Sequence, residues 1–250
     1  MGGFFGAVSA NDCILDVFYG TDYHSHLGTR RGGLTSYSAE LGFQRNIHSI
    51  ENSPFRTKFE KDVEKMRGNI CIGCISDTDP QPIMVRSKLG LYAVCSIGII
   101  QNAKALSEEL LENGCANFET MSSGNINSGG LIGALIAQKP TFVEGIRYAQ
   151  SKIEGTMSLV IMTEDSIICA RDKAGKLPIL IGKRSDGYCF SFESFAYQKL
   201  GYETCHELKA GEITKLTKDG YEVLYEGTDE MKICTFLWTC LLYTSPSPRD

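Results

Sequence analysis

Hydrophobic residues fall into two arrangements along this chain. In the first they recur every three or four positions. Phe55, Phe59, Val63 and Met66 follow Ser53-Pro54 and stop at Gly68, which predicts a helix with a serine cap and a first-turn proline. Asn102 to Gly114 repeats the pattern, with Leu106 and Leu110 inward and Asn113-Gly114 as the stop. Leu131 to Ala137 reads as a third, more apolar helix. A fourth opens on the capping box of Thr141 and Glu144 and runs to about Ile153, before Gly155. Near the start, Asn11 and Asp12 can cap the apolar segment Cys13 to Phe18.

In the second arrangement the apolar residues are continuous or alternate, as in strands. The opening Gly-Gly-Phe-Phe-Gly-Ala-Val-Ser is one such run, and Asn69 to Ile75 and Tyr92 to Gly98 are two more. Thr156 to Thr163, a Glu164-Asp165 turn and Ser166 to Ala170 predict a hairpin. Pro178 to Gly182, Tyr188 to Phe192 and a pair within Gly211 to Tyr225, turning at Asp219-Gly220, continue the β region. Strands in runs with helices grouped between them favour an α+β fold, with helices layered outside antiparallel sheets. Residues 1 to 240 are expected to form the domain. The stretch Thr244-Ser-Pro-Ser-Pro-Arg-Asp250 has no apolar pattern, so 241 to 250 is expected to be a non-native or disordered tail.

Composition narrows the function classes. The chain has 250 residues, with 25 Lys+Arg against 30 Asp+Glu, a formal net charge of −5. That mild acidity argues against nucleic acid or an anionic membrane as the main partner. No apolar run reaches the roughly 18 residues of a spanning helix; the longest are Leu91 to Ile100 and Thr235 to Thr244. No Lys or Arg precedes Arg30, so the basic start of a secretory signal is missing. The ten cysteines therefore read as thiols of a cytoplasmic protein rather than as a disulfide framework.

Several segments in a fixed order are more informative. They are Met1-Gly-Gly-Phe-Phe-Gly6, Leu27-Gly-Thr-Arg-Arg-Gly32, and Ile72-Gly-Cys-Ile75 with Gln81-Pro82. Ala170-Arg-Asp-Lys-Ala-Gly175 with Pro178, Gly187-Tyr188, Glu193-Ser194 and Ala210-Gly-Glu-Ile213 complete the series. Together these resemble the class II glutamine amidotransferases, and most closely the glutaminase domain of the amidophosphoribosyltransferase family, over about residues 1 to 235. The resemblance implies an N-terminal-nucleophile hydrolase fold, a four-layer αββα sandwich of two antiparallel sheets between helices. It further implies a downstream phosphoribosyltransferase domain, missing here, that uses the ammonia on phosphoribosyl pyrophosphate in purine synthesis. No cofactor and no metal are implied for the glutaminase domain, and self-association is left open.

Glutamine hydrolysis in that family needs an N-terminal cysteine, oxyanion donors, and charged groups for the substrate's α-carboxylate and α-ammonium. By the resemblance, Gly2 stands at the nucleophile position and Ser76 at the arginine that pairs with the carboxylate. Ile97-Gly98 stands at the Asn-Gly oxyanion hole, and Gly124, in Ser122-Ser-Gly-Asn125, at the expected carboxylate. Gly98 keeps the oxyanion-hole glycine while the amide donor is lost, and of the charged groups only Arg31 keeps its type. The expected function is a degenerate glutaminase-type domain with a structural or regulatory role. The alternatives are a working amidotransferase with an unforeseen nucleophile, and a protein-interaction module. Cleavage before Cys13 would supply such a nucleophile but would discard the Gly-Phe-rich strand.

Other chemistry-bearing residues have simpler readings. Cys71 and Cys74 form a lone Cys-x-x-Cys whose side chains alternate across a strand, so both read as core thiols. Asp77 and Asp79 fit a capped turn. His24 and His26, near Arg30 and Arg31, fit a solvated loop better than an anion site. His48 and His206 have no partner visible in the sequence, and Arg171 and Asp172 are expected to brace a turn.

Overall fold

A computed structural model describes residues 2–114, 124 and 126–232. The tail at 241–250 lies outside the described residues, as do Trp238, Cys115, Cys234 and Cys240. The strands are β1 (Gly2–Ser9), β2 (Arg31–Ser38), β3 (Gly42–Ser49), β4 (Ile70–Ser76), β5 (Ile83–Ser87), β6 (Gly90–Ile100) and β7 (Gly155–Met162). They continue with β8 (Ile167–Ala170), β9 (Leu180–Arg184), β10 (Gly187–Ser191), β11 (Glu203–Glu207), β12 (Ile213–Leu216) and β13 (Tyr221–Tyr225). The helices are α1 (Ile14–Tyr23), α2 (Phe55–Val63), α3 (Ala103–Glu112), α4 (Ser128–Ala137), α5 (Phe142–Lys152) and the short α6 (Phe195–Gln198).

The strands form two antiparallel sheets, ordered β11-β9-β10-β1-β4-β2-β3 and β13-β12-β8-β7-β6-β5. Their side chains divide by strand period 2 into three buried clusters. Phe4, Ile70, Ile72 and Cys74 of the first sheet meet Cys95, Ile97, Val160 and Cys169 of the second, between the sheets. Phe5, Cys71 and Ile75 face outward onto Val17, Phe18, Phe55, Phe59 and Tyr197 of α1, α2 and α6. Tyr92, Val94, Leu159 and Ile161 face the other way, onto Leu106, Leu110, Leu131, Leu135 and Ile146 of α3, α4 and α5. This is the four-layer αββα sandwich expected above. Strands covered on both faces explain the unbroken apolar runs: all eight residues of β1 and all seven of β4 are buried.

Several local readings need correction. Ser53 does not cap α2; Pro54 itself occupies the cap position, and its carbonyl accepts the Lys58 N–H at 3.2 Å. The third helix starts three residues earlier than expected, at Ser128, because Asn127 Oδ1 accepts the N–H groups of Gly129 and Gly130. Asp12, but not Asn11, accepts the Ile14 N–H at the start of α1. The fourth helix matches its capping box, with Thr141 Oγ1 accepting from Glu144 N and donating to its carboxylate. Strands β2, β3, β5 and β11 had no counterpart among the predicted elements.

Candidate functional site

At one end of the first sheet, neighbouring strands place three family-positioned residues in a row: Gly2 of β1 pairs with Ser76 of β4, which pairs with Arg31 of β2. Ile97 and Gly98 belong to β6 of the second sheet. A cavity of about 810 Å³ opens there, lined in part by Gly2, Ser76, Ile97 and Gly98. The topology thus brings four of the six residues singled out in the sequence into one wall. Arg31 is exposed and does not line the cavity; nor does Gly124, exposed at φ +80° with Ser122, Ser123 and Asn125 outside the described residues.

The wall is closed tightly around Gly2. A Cβ at position 2 would lie 2.3 Å from the Ile75 carbonyl oxygen and 2.9 Å from Ile97 Cδ1. Both are far inside van der Waals contact, and the first is backbone, so it cannot rotate away. Gly98, at φ +155°, is equally closed, since a Cβ there would meet the Thr156 carbonyl oxygen at 2.1 Å. Ser76 turns onto its own chain: Oγ accepts the N–H groups of Thr78 and Asp79, each at 3.2 Å. Its short side chain holds a turn and presents no positive charge.

The remaining polar groups of the lining are largely engaged within the protein. Gln81 Oε1 accepts the Ser96 N–H at 2.6 Å and its Nε2 donates to the Ser96 carbonyl at 3.0 Å, tying the 77–82 turn to β6. Asp79 Oδ2 accepts the Ser128 N–H at 3.0 Å, at the N-terminal end of α4. Arg171, buried, donates to Glu207 at 3.1 Å and to the carbonyls of Gly175 and Leu208. Only its buried Nε has no partner. Asp172 accepts the Lys176 N–H, so the pair does brace a turn, as the sequence suggests. That Arg171 also lines the cavity was not foreseen.

Histidines correct the sequence reading most. His24 is fully buried rather than solvated. Its Nδ1 lies 2.8 Å from the Gly20 carbonyl, which fixes the proton on Nδ1 and leaves Nε2 to accept from the Ser191 hydroxyl at 3.1 Å. Burial lowers its pKa to about 4. His26 pairs with Glu193 at 3.1 Å, and the Tyr23 hydroxyl donates to the same carboxylate at 3.2 Å. Bonding to Glu193 raises the His26 pKa; burial, followed by Glu193, pushes the Tyr23 phenol up to about 12. His48 and His206 do have partners, Asp62 at 2.5 Å and Glu212 at 2.6 Å, on elements distant in sequence or across a turn.

Among the described residues no cysteine lines the cavity. Cys13 is buried in the cluster beneath α1, and Cys71 and Cys74 lie in different clusters on opposite faces of β4. Burial pushes the thiols of Cys71, Cys95, Cys169, Cys189 and Cys205 up, away from the thiolate.

Comparison with known proteins places this architecture. A family model described as a glutamine amidotransferase domain matches residues 66–198, more than half of the chain. The chain belongs to the glutamine amidotransferase domain family. Its glutamine amidotransferase fold is similar to that of the B. subtilis glutamine phosphoribosylpyrophosphate amidotransferase, with a TM-score of 0.82 and 23% identity over 94% of this chain and 52% of that one. In sequence the domain is 25% identical to the amidophosphoribosyltransferase of a Synechocystis strain, over 94% of this chain and 49% of the relative. It is 32% identical to that of Staphylococcus epidermidis, over 80% of this chain and 38% of the relative. The chain thus spans about half the length, or less, of these relatives.

Proposed function

We propose that this glutamine amidotransferase domain does not hydrolyse glutamine and serves a structural or regulatory role in an amidophosphoribosyltransferase-like protein. The observation that carries the reading is the closed wall at Gly2: no side chain is present to attack, and the Ile75 carbonyl and Ile97 Cδ1 occupy the room one would need. By family resemblance, Gly2 holds the place of the nucleophile, Ile97 that of an oxyanion-hole amide and Ser76 that of the carboxylate-binding arginine. Removing one oxyanion donor alone costs about 2.7–4 kcal/mol of barrier in measured cases. Here the attacking group is lost as well.

The active alternative requires another nucleophile. The described thiols stand away from the cavity, and the resolved shifts favour their protonated form. Partnership with a downstream phosphoribosyltransferase domain belongs to the same proposal. Its support is the coverage of about half of each relative.

Glutamate release from glutamine, followed over hours with purified chain, tests the reading. The expected rate equals that of heat-denatured protein. Turnover above that control, lost on substitution of a single cysteine, would overturn it.

A further inference from the structure

We propose that the groove between α1 and α2, in the helical layer outside the first sheet, docks a cationic amphipathic helix of a partner protein. The groove shares no lining residue with the cavity, and docking there does not depend on whether the cavity hydrolyses glutamine.

The two helices run antiparallel and are tied at both ends. Asp12, before α1, pairs with Arg67, past α2, at 3.7 Å, and Asp22, late in α1, pairs with Arg56, early in α2, at 2.7 Å. Between these ties lies a groove of about 600 Å³. Ile14, Phe18 and Val63 form its buried floor. Leu15 and Tyr19 stand on its α1 side at i and i+4, 56% and 46% exposed. They are the only two large exposed apolar side chains among the described residues that share an element. Such a pair on one concave face, rather than scattered, is what a docked apolar surface would cover. At 1.5 Å per residue the ten residues of α1 run about 15 Å, room for about three turns of a partner helix.

The α2 side of the groove carries charge of one sign. Glu60 and Glu64 line it, both exposed, and neither has an ion-pair partner among the described residues. They lie four apart on one helix face, where like charges repel. They also occupy the last turn and the C-cap of α2, where the helix dipole opposes negative charge. Lys61 and Lys65, the adjacent cations, do not line the groove. Arg56 and Arg67, which do, are held by Asp22 and Asp12, and Arg67 also donates to the carbonyls of Val63, Glu64 and Met66. What is left uncompensated is two carboxylates beside an apolar trough. A helix whose apolar stripe faces Leu15 and Tyr19, with Lys or Arg at i and i+4 on the flank towards Glu60 and Glu64, complements both features. An acidic helix would meet repulsion along the same rim.

The test uses a stapled synthetic helix of about 14 residues, with Leu on one face and Lys along one flank, and its Glu-for-Lys counterpart. Each is titrated into the isotope-labelled full chain while backbone amide shifts are followed. The expected result is saturable, single-site shifts at Leu15, Tyr19, Glu60 and Glu64 with the cationic peptide, and none with the acidic one at equal concentration. Reversing both rim charges, Glu60→Lys with Glu64→Lys, should weaken the cationic peptide roughly tenfold or more, at a melting temperature no lower than that of the parent chain. Leu15→Asp should weaken it as well. Absence of saturation, equal binding of the acidic peptide, shifts confined to the cavity rim at Ile99 and Phe195, or an affinity unchanged by charge reversal would each overturn the proposal. Groove shifts that grow with chain concentration before any peptide is added would assign this face to a second copy of the chain, and would overturn it too.

Discussion

Position 2 shows how far a single residue can be read from the sequence. That glycine lacks a sulfur is evident at once; that no Cβ fits is not, because the obstruction comes from a carbonyl on β4 and a side chain on β6. Gly2→Cys is therefore expected to release no glutamate and to destabilise the domain by about 1–3 kcal/mol, as overpacking does. Urea unfolding beside the glutamate assay checks both. His24 gives a second expectation. In the unfolded chain its imidazole binds a proton near pH 6.5, whereas the folded one refuses it until about pH 4. Its contribution is therefore complete above pH 6.5 and is lost as pH falls towards 4, about 3 kcal/mol in all. His26, raised by Glu193, acts in the opposite sense: its contribution is present at lower pH and lost as pH rises through its folded value. Replacing His24 with Asn should flatten the loss of stability between pH 6.5 and 4.5; an unchanged slope would refute the assignment. Nothing in the sequence around His24 announces its burial, which arises where α1 meets β10.

Among the elements, those with apolar periodicity or a cap were legible and those built from small and polar residues were not. Thr141 and Glu144 sit where a capping box should, and α5 follows them. Strand β2, Arg-Gly-Gly-Leu-Thr-Ser-Tyr-Ser, has one aliphatic residue and reads as a loop. It is nevertheless largely buried, because neighbours press on its glycines: a Cβ at Gly33 would collide with the Gln81 carbonyl. Such a strand is specified by what packs on it rather than by its own hydropathy. The start of α4 was missed for a related reason, since Ser-Gly-Gly is a poor helix opening until Asn127 caps it. Asn127→Ala should cost about 1 kcal/mol, a fall in melting temperature of roughly 2–4 °C. A calorimetric scan showing no change would mean that the cap bonds to Gly129 and Gly130 contribute nothing.

For the whole molecule, the class of fold followed from the order of helices and strands, and the four layers from the family resemblance. The cavity could not be read the same way, because its wall joins segments more than two hundred residues apart, from Gly2 to Met231. Arg171 ties the far side of that wall together, bonding Gly175, Glu207 and Leu208. Arg171→Met is expected to leave buried acceptors unpaired and to lower stability by about 3 kcal/mol, measurable by chemical denaturation. A near-neutral effect would show that the turn holds without it.

The proposed absence of glutaminase chemistry can be examined directly by incubating the purified chain with a diazoketone analogue of glutamine, which alkylates an activated amidotransferase thiol, and recording the intact mass. The expected spectrum is that of unmodified protein, with and without competing glutamine. A stoichiometric adduct, suppressed by glutamine and mapped to one residue of the cavity, would contradict the proposal that this wall holds no activated nucleophile.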